Sequence, residues 1–370
     1  MNQDTLAKAV GALAETGQDA LVTLSPESFA YLTGRIVPSQ PILRWRHAAV
    51  VVTSDGRTAL FAVDMEESTV RAAEPDVDLR VWQEFSYNAM PTLAGLLTDL
   101  GLASARVAIE TDYLPASDME ILTGLLPATR WTNAGPLLDG IRRLKTEREI
   151  GLMGDLARIT DAAIGSALAS VSAGDTDMDL AAAVTTSLFR AGADGYRWLI
   201  VATGERSQYP NVGPILRPLE RGDVVRLEVF GMRGGYQTGV CRTAVVQEAP
   251  DDVAEAWKHI ADLRQVIFDM VRPGASGSAI YGAVADRFRS LDWPRLGFVG
   301  HGIGVYAHEE PYIGSSGDAL IEEGMVLGTE PVLLLAGRWG LQVKDIVAVG
   351  PHGCDVLSDV SAANELYIID

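Results

Sequence analysis

The sequence predicts an α+β protein of two domains, and three observations carry that expectation. A chain of 370 residues exceeds what one core usually organises. Short β-rich runs alternate with helical periods up to about residue 140, whereas beyond it strands come in runs flanked by paired helices. Between the two lies Ile141-Arg142-Arg143-Leu144-Lys145-Thr146-Glu147-Arg148-Glu149-Ile150, where Thr146 and Glu149 form a capping box. The domains are therefore expected over residues 1–140 and 141–370, the first a small α/β domain.

In the first domain, residues 20–24 and 48–53 read as strands, and Ser54-Asp55-Gly56-Arg57 as a hairpin turn. Helices are expected over 88–100 and 117–126, with strands at 106–110 and near 130–131. In the second, apolar residues recur at helical spacing from Ile150 through Met153, Leu156 and Ile159 to Ile164. Further helices are expected over 177–191, 252–272 and 276–291. The intervening strands are 198–202, 224–230, 236–246, 325–335 and 341–349. No sequence repeat or low-complexity tract interrupts this order.

Composition excludes several functions. The formal net charge of −19 repels phosphate backbones and anionic lipid, so neither nucleic acid nor a membrane is an expected partner. Only Cys241 and Cys354 are present, which argues against a disulfide framework or a structural zinc site. The first residues lack a basic segment followed by an apolar one, and no apolar run approaches membrane-spanning length. A cytoplasmic location is the expectation.

Four segments carry chemistry. The first is the hairpin 222–246, turning at Arg233-Gly234-Gly235. Counting outward from that turn places Glu228 opposite Gly239, about 5 Å apart at Cβ. Acids at both positions would clamp a pair of divalent ions, but here one of them is a glycine. The second is Gly300-His301-Gly302-Ile303-Gly304, followed by His308-Glu309-Glu310-Pro311. The others are Gly328-Thr329-Glu330-Pro331 and Gln342-Val343-Lys344-Asp345.

In this order and spacing the four segments resemble the family of methionine aminopeptidase, aminopeptidase P, prolidase and creatinase, the pita-bread fold. The resemblance extends over roughly residues 141–349, and more weakly to the first domain as one of the creatinase/prolidase type. It implies a pita-bread C-terminal domain and a metal site of two aspartates, a histidine and two glutamates. Carried over residue by residue, the first aspartate falls on Glu228 and the second on Gly239. The histidine falls on His301, the first glutamate on Glu330 and the bridging glutamate on Lys344. An ammonium about 4 Å from a divalent ion would repel it by several kcal/mol. No metal or other cofactor is therefore expected, and Lys344 is read as an organic replacement that neutralises Glu228 and Glu330.

Creatinase is the family's metal-free precedent, but its catalytic histidine falls on Asn211, whose amide cannot act as acid or base. Glu228, His301, Glu330 and Lys344 are the candidate catalytic residues. Glu330 or Glu228 would activate water, His301 would shuttle protons and Lys344 would stabilise negative charge. Asn211, Tyr236 and His308 are candidates for orienting substrate. In creatinase-like dimers a partner loop closes the pocket, and the corresponding Arg44 and Arg46 could clamp a carboxylate. The leading expectation is a homodimeric, metal-independent hydrolase of a C–N bond in a small carboxylate-bearing substrate. The alternatives are a lyase on the same pocket, a metal-retaining Xaa-Pro peptidase and a non-catalytic pseudo-peptidase.

Overall fold

A computed structural model describes all 370 residues, and the chain divides into two units, Met1–Arg142 and Arg143–Asp370. No helix is long and apolar enough to cross a membrane. The first unit runs α1 (Gln3–Thr16), β1 (Ala20–Thr23), α2 (Pro26–Thr33), β2 (Ala49–Thr53), β3 (Thr58–Val63), α3 (Glu67–Ala73) and β4 (Asp78–Trp82). It continues with α4 (Ala89–Asp99), β5 (Arg106–Ile109), α5 (Ala116–Leu125), β6 (Arg130–Asn133) and α6 (Gly135–Arg143). The sheet order is β4-β3-β2-β1-β5-β6, antiparallel in the middle and parallel towards both edges. Buried Glu110 organises one end of it, accepting the backbone N–H of Leu24 and Ser25 at 2.5 and 2.7 Å. Ser25 in turn caps α2, with Pro26 at its first helical position.

The second unit begins with α7 (Glu147–Leu168), α8 (Asp177–Arg190), β7 (Gly195–Thr203), β8 (Val224–Arg233) and β9 (Tyr236–Val246). It then repeats the pattern of a helix pair and antiparallel strands: α9 (Asp251–Met270), α10 (Gly277–Ser290), β10 (Phe298–Gly302), β11 (Glu309–Gly314) and β12 (Val326–Thr329). It ends with β13 (Val332–Leu334), β14 (Gly340–Gln342), β15 (Asp345–Val349), β16 (Cys354–Val356) and β17 (Tyr367–Ile369). The capping box forms as its sequence requires, with Thr146 Oγ1 accepting from the Glu149 N–H and Glu149 accepting from the Thr146 N–H. One four-stranded sheet has the order β17-β9-β8-β7 and one five-stranded sheet β11-β10-β12-β15-β16.

Two long strands expected from the sequence are each broken. Residues 325–335 form β12 and β13, and 341–349 form β14 and β15. Both breaks have one cause. The pairings Thr329↔Asp345 and Val332↔Gln342 belong to one continuous register, and Pro331, which lacks an N–H, falls between them. Lys344 therefore pairs with Cys241 of β9 through backbone bonds of 3.1 Å in both directions. Glu330 and Lys344 occupy the facing positions of this gap.

The strand after the gap is fixed from behind. Asp345 is fully buried, 2.6 Å from Arg264 Nε and 3.0 Å from Arg242 Nη2, and it accepts from Ser358 Oγ at 2.9 Å. Removing this carboxylate leaves Arg264 without its acid and buried Arg242 with Asp161 alone, 3.0 Å from its Nε. Asp345→Ala is expected to cost about 3–5 kcal/mol. Denaturant unfolding of the full chain, followed by a second-unit tryptophan, measures it, and a loss under about 1 kcal/mol would contradict the assignment.

Candidate active site

Four of the expected residues converge at the break between strands. Lys344 is buried, with Nζ 3.0 Å from His301 Nε2, 3.2 Å from Glu330 Oε1 and 3.4 Å from Glu228 Oε1. Burial disfavours the ammonium, but Glu330 and Glu228 outweigh that and raise its pKa above the ordinary lysine value. Burial likewise favours a neutral Glu330. The Lys344 charge prevails and holds that carboxyl well below the usual range. Both groups are therefore ionised in the folded protein. Glu330 Oε2 also accepts from Gln342 Nε2 at 3.0 Å.

His301 lies beneath this pair, fully buried. Its Nδ1 donates to the Gly302 carbonyl at 2.7 Å, and its Nε2 lies 3.0 Å from Lys344 Nζ and 3.1 Å from Glu330 Oε1. Gly328, opposite His301 on β12, provides the room. A Cβ there would lie 3.2 Å from Lys344 Cε and 3.3 Å from His301 Cε1. The ring of His308, an exposed residue, stacks on His301 with centroids 3.8 Å apart. Desolvation of the ring, then the nearby His301 and Lys344, lower its pKa to about 4.

A cavity of about 430 Å³ opens above these groups. Asn211, Glu228, His308, Glu330 and Lys344 line it, together with Arg226, Gln342, Phe230, Trp198 and Arg295. Trp198 and Phe230 stack at 5.8 Å to form one apolar wall. All its lining residues belong to the second unit.

Several expectations need correction. Glu228 does not face Gly239: the register pairs Glu228 with Cys241 and Phe230 with Gly239. The turn closes between Arg233 and Tyr236, one residue beyond the centre that the count assumed, which moves each cross-strand partner by two. The space over Gly239 is taken by Phe230, whose ring lies 2.6 Å from where a Cβ would stand. Tyr236 is not a cavity residue. It is buried at the hairpin end, where its hydroxyl donates to Glu149 at 2.8 Å. His301 is sealed under the floor rather than presented to the cavity, with Nδ1 held by the Gly302 carbonyl and Nε2 against Lys344 and Glu330. In the first unit, Arg46 is engaged bidentately by Glu84 at 2.7 and 2.9 Å, and Arg44 lies 5.6 Å over the Tyr113 ring.

Ligand atoms of His301, His308 and Glu330 lie within 4.8 Å of one another, a spacing that a metal ion could use. The rest of the donor set does not fit a metal pair. Gly239 offers no ligand atom, and the Phe230 ring fills its place. The Lys344 ammonium lies 3.0 Å from His301 Nε2 and 3.2 Å from Glu330 Oε1, so its positive charge stands against two of the atoms that would hold an ion, and it lies 4.6 Å over the Phe230 ring.

Comparison with known proteins agrees with the fold. Residues 151–351 match metallopeptidase family M24, and residues 6–144 match the creatinase/prolidase N-terminal domain. The chain belongs to metallopeptidase family M24, with the pita-bread fold in its second unit, and is a hydrolase of the peptidase and creatinase kind. It is 30% identical over 376 residues to a probable dipeptidase PepE of Mycobacterium tuberculosis, covering 98% of this chain and 96% of the relative. A creatinase of Bacillus sp. is 24% identical over 96% of this chain and 90% of its own. Among solved structures, dipeptidase PepE from Mycobacterium ulcerans superposes with a TM-score of 0.84 at 25% identity, covering 99% of this chain and 97% of that one. A prolidase from Thermococcus sibiricus reaches 0.89 at 21% identity over the whole of both chains, which bears on the fold.

The sequence reading missed Arg226, Phe230 and Gln342. Each lies two residues from a recognised position, Glu228 or Lys344, and alternation along a strand puts such neighbours on one face. That period was the available signal.

The low pKa of His308 has a consequence for stability. Between about pH 6.5 and about pH 4 the unfolded chain binds a proton at His308 that the folded one does not. Stability contributed by the neutral ring is present above pH 6.5 and lost as pH falls through that window. NMR titration of the histidine ring protons is expected to show one midpoint near 4 that is absent from His308→Asn. A His308 midpoint at or above 6.5 would contradict the stacked, neutral ring.

Proposed function

We propose that the protein is a metal-independent hydrolase that cleaves a C–N bond in a small, carboxylate-bearing substrate held in the cavity above Glu228, Glu330 and Lys344. One observation carries this reading: the Lys344 ammonium lies within 3.4 Å of His301, Glu330 and Glu228, the side chains that would otherwise converge on a metal. A cavity of about 430 Å³ fits a small substrate.

The partners of each acid divide the roles. Glu330 is committed to Lys344 and Gln342, which lowers its basicity and makes it the anchor of the ammonium. Glu228 faces the cavity with Lys344 at 3.4 Å, and it is the group placed to take a proton from water. Water adds to the carbonyl or amidino carbon while Glu228 accepts its proton. On a carbonyl, Lys344 stabilises the negative charge that develops on oxygen. Protonated Glu228 then returns the proton to the leaving nitrogen as the C–N bond breaks, giving acid and amine from an amide, or a urea and an amine from an amidino acid. Asn211 and neutral His308 orient the substrate.

A second reading is a dipeptidase that retains one ion on His301, His308 and Glu330. Its support is their 4.8 Å cluster and the 30% identity to a relative named as a probable dipeptidase. It requires Lys344 to leave its present partners.

Turnover measured with and without chelator, on amide and amidino acids and on Xaa-Pro dipeptides, separates the two. Chelator-insensitive hydrolysis of the small acids is expected, and chelator-abolished dipeptide hydrolysis would overturn the proposal. Glu228→Gln should lower kcat by about 10²–10⁴-fold, the usual contribution of a general base, without changing the fold. Unchanged kcat would remove Glu228 from the mechanism. Lys344→Met leaves the Glu228 and Glu330 carboxylates facing each other uncompensated and is expected to lower both activity and stability.

A further inference from the structure

If the substrate is a small carboxylate-bearing molecule, as proposed above, its carboxylate needs a cationic partner, and the cavity has two that no acid uses. The whole chain carries 49 acidic and 30 basic residues. The charged side chains lining the cavity invert that balance, with Arg226, Arg295 and Lys344 set against Glu228 and Glu330. Lys344 is committed to both glutamates.

Arg226 is 1% exposed, and its partners are neutral. It donates to the carbonyls of Ser207 at 3.3 Å and Pro210 at 3.0 Å, to that of Tyr209, and to Gln342 Oε1 at 2.6 Å. These bonds satisfy its geometry and leave its charge uncompensated. A buried charge in that state is costly until an anion arrives. It stands two residues before Glu228 on the same face of β8, so its position is set by a strand rather than by a mobile loop. Arg295 is exposed where it lines the cavity and has no acidic partner. Its guanidinium is free to present the paired donors that match a carboxylate.

We propose that Arg295 binds the substrate carboxylate, that Arg226 supplies a fixed positive field beneath it, and that the scissile nitrogen lies towards Glu228. Recognition of the acid then belongs to the cavity's own walls and does not depend on Arg44 or Arg46.

The test is calorimetric titration of the full chain with two acid–amide pairs: guanidinoacetate and its primary amide, and glycyl-proline and its primary amide. At least one acid should bind about tenfold or more tightly than its amide, the scale of a charge-assisted pair. Arg295→Gln should bring the ratio to within about twofold at unchanged melting temperature, and Arg295→Lys should restore part of it. Because Arg295 is exposed, the variant is not expected to disturb folding. Arg226→Lys, which keeps the charge but not the fork, should retain the preference for the acid. Acids and amides that bind alike or not at all, or a preference that survives Arg295→Gln, would overturn the proposal. The chelator experiment distinguishes this failure from that of the metal-free reading: acid preference with chelator-sensitive turnover keeps Arg295 and removes metal independence.

Discussion

The site depends on one ammonium and the three groups that hold it. Lys344 sits in a fully buried position that a lone lysine would leave by losing its proton or snorkelling to solvent. It does neither, because the carboxylates of Glu330 and Glu228 and the ring of His301 surround it within 3.4 Å. The glutamates depend on it equally, since two carboxylates at this depth would otherwise repel. Breaking either side leaves an uncompensated buried charge, so the network is all or none in character.

The surrounding fold can be understood as the means of presenting that cation. Pro331 interrupts a β-hairpin at the register position where Glu330 faces Lys344. Lys344 is then captured by the backbone of Cys241, and Asp345 behind it is fixed by Arg242 and Arg264. Gly328 opens the space that the lysine and His301 fill, and Phe230 closes the space over Gly239. Gly239 and Lys344 are thus each matched by their packing. The Phe230 ring packs over Gly239, and the Lys344 ammonium packs against Glu228, Glu330 and His301.

Much of this was legible in the sequence, for identifiable reasons. The capping box at Thr146 and the helical period after it placed α7, because local hydrogen bonding and 3.6-residue periodicity act over short range. The four segments around Glu228, His301, Glu330 and Lys344 identified the family and the groups that meet in its pocket. The register of the β8–β9 hairpin was less accessible. It depends on where the turn closes around Gly234 and Gly235, both at positive φ, and a two-residue shift put Phe230 rather than Glu228 opposite Gly239. The aim of Tyr236 towards Glu149 depends on how α7 packs against the hairpin, a contact 87 residues apart in sequence. Pairing of Arg46 with Glu84 is likewise set by tertiary proximity, which no local pattern encodes.

Metal content tests the central claim most directly. Protein purified without chelator and dialysed against manganese, cobalt or zinc would be analysed by plasma mass spectrometry beside a variant carrying Gly239→Asp, Phe230→Gly and Lys344→Glu. The account predicts substoichiometric metal in the natural chain and a gain of bound metal in the variant, because the ammonium and the ring stand where the ions would bind. One or two tightly held ions per natural chain would contradict it, since Lys344 would then have to stand elsewhere.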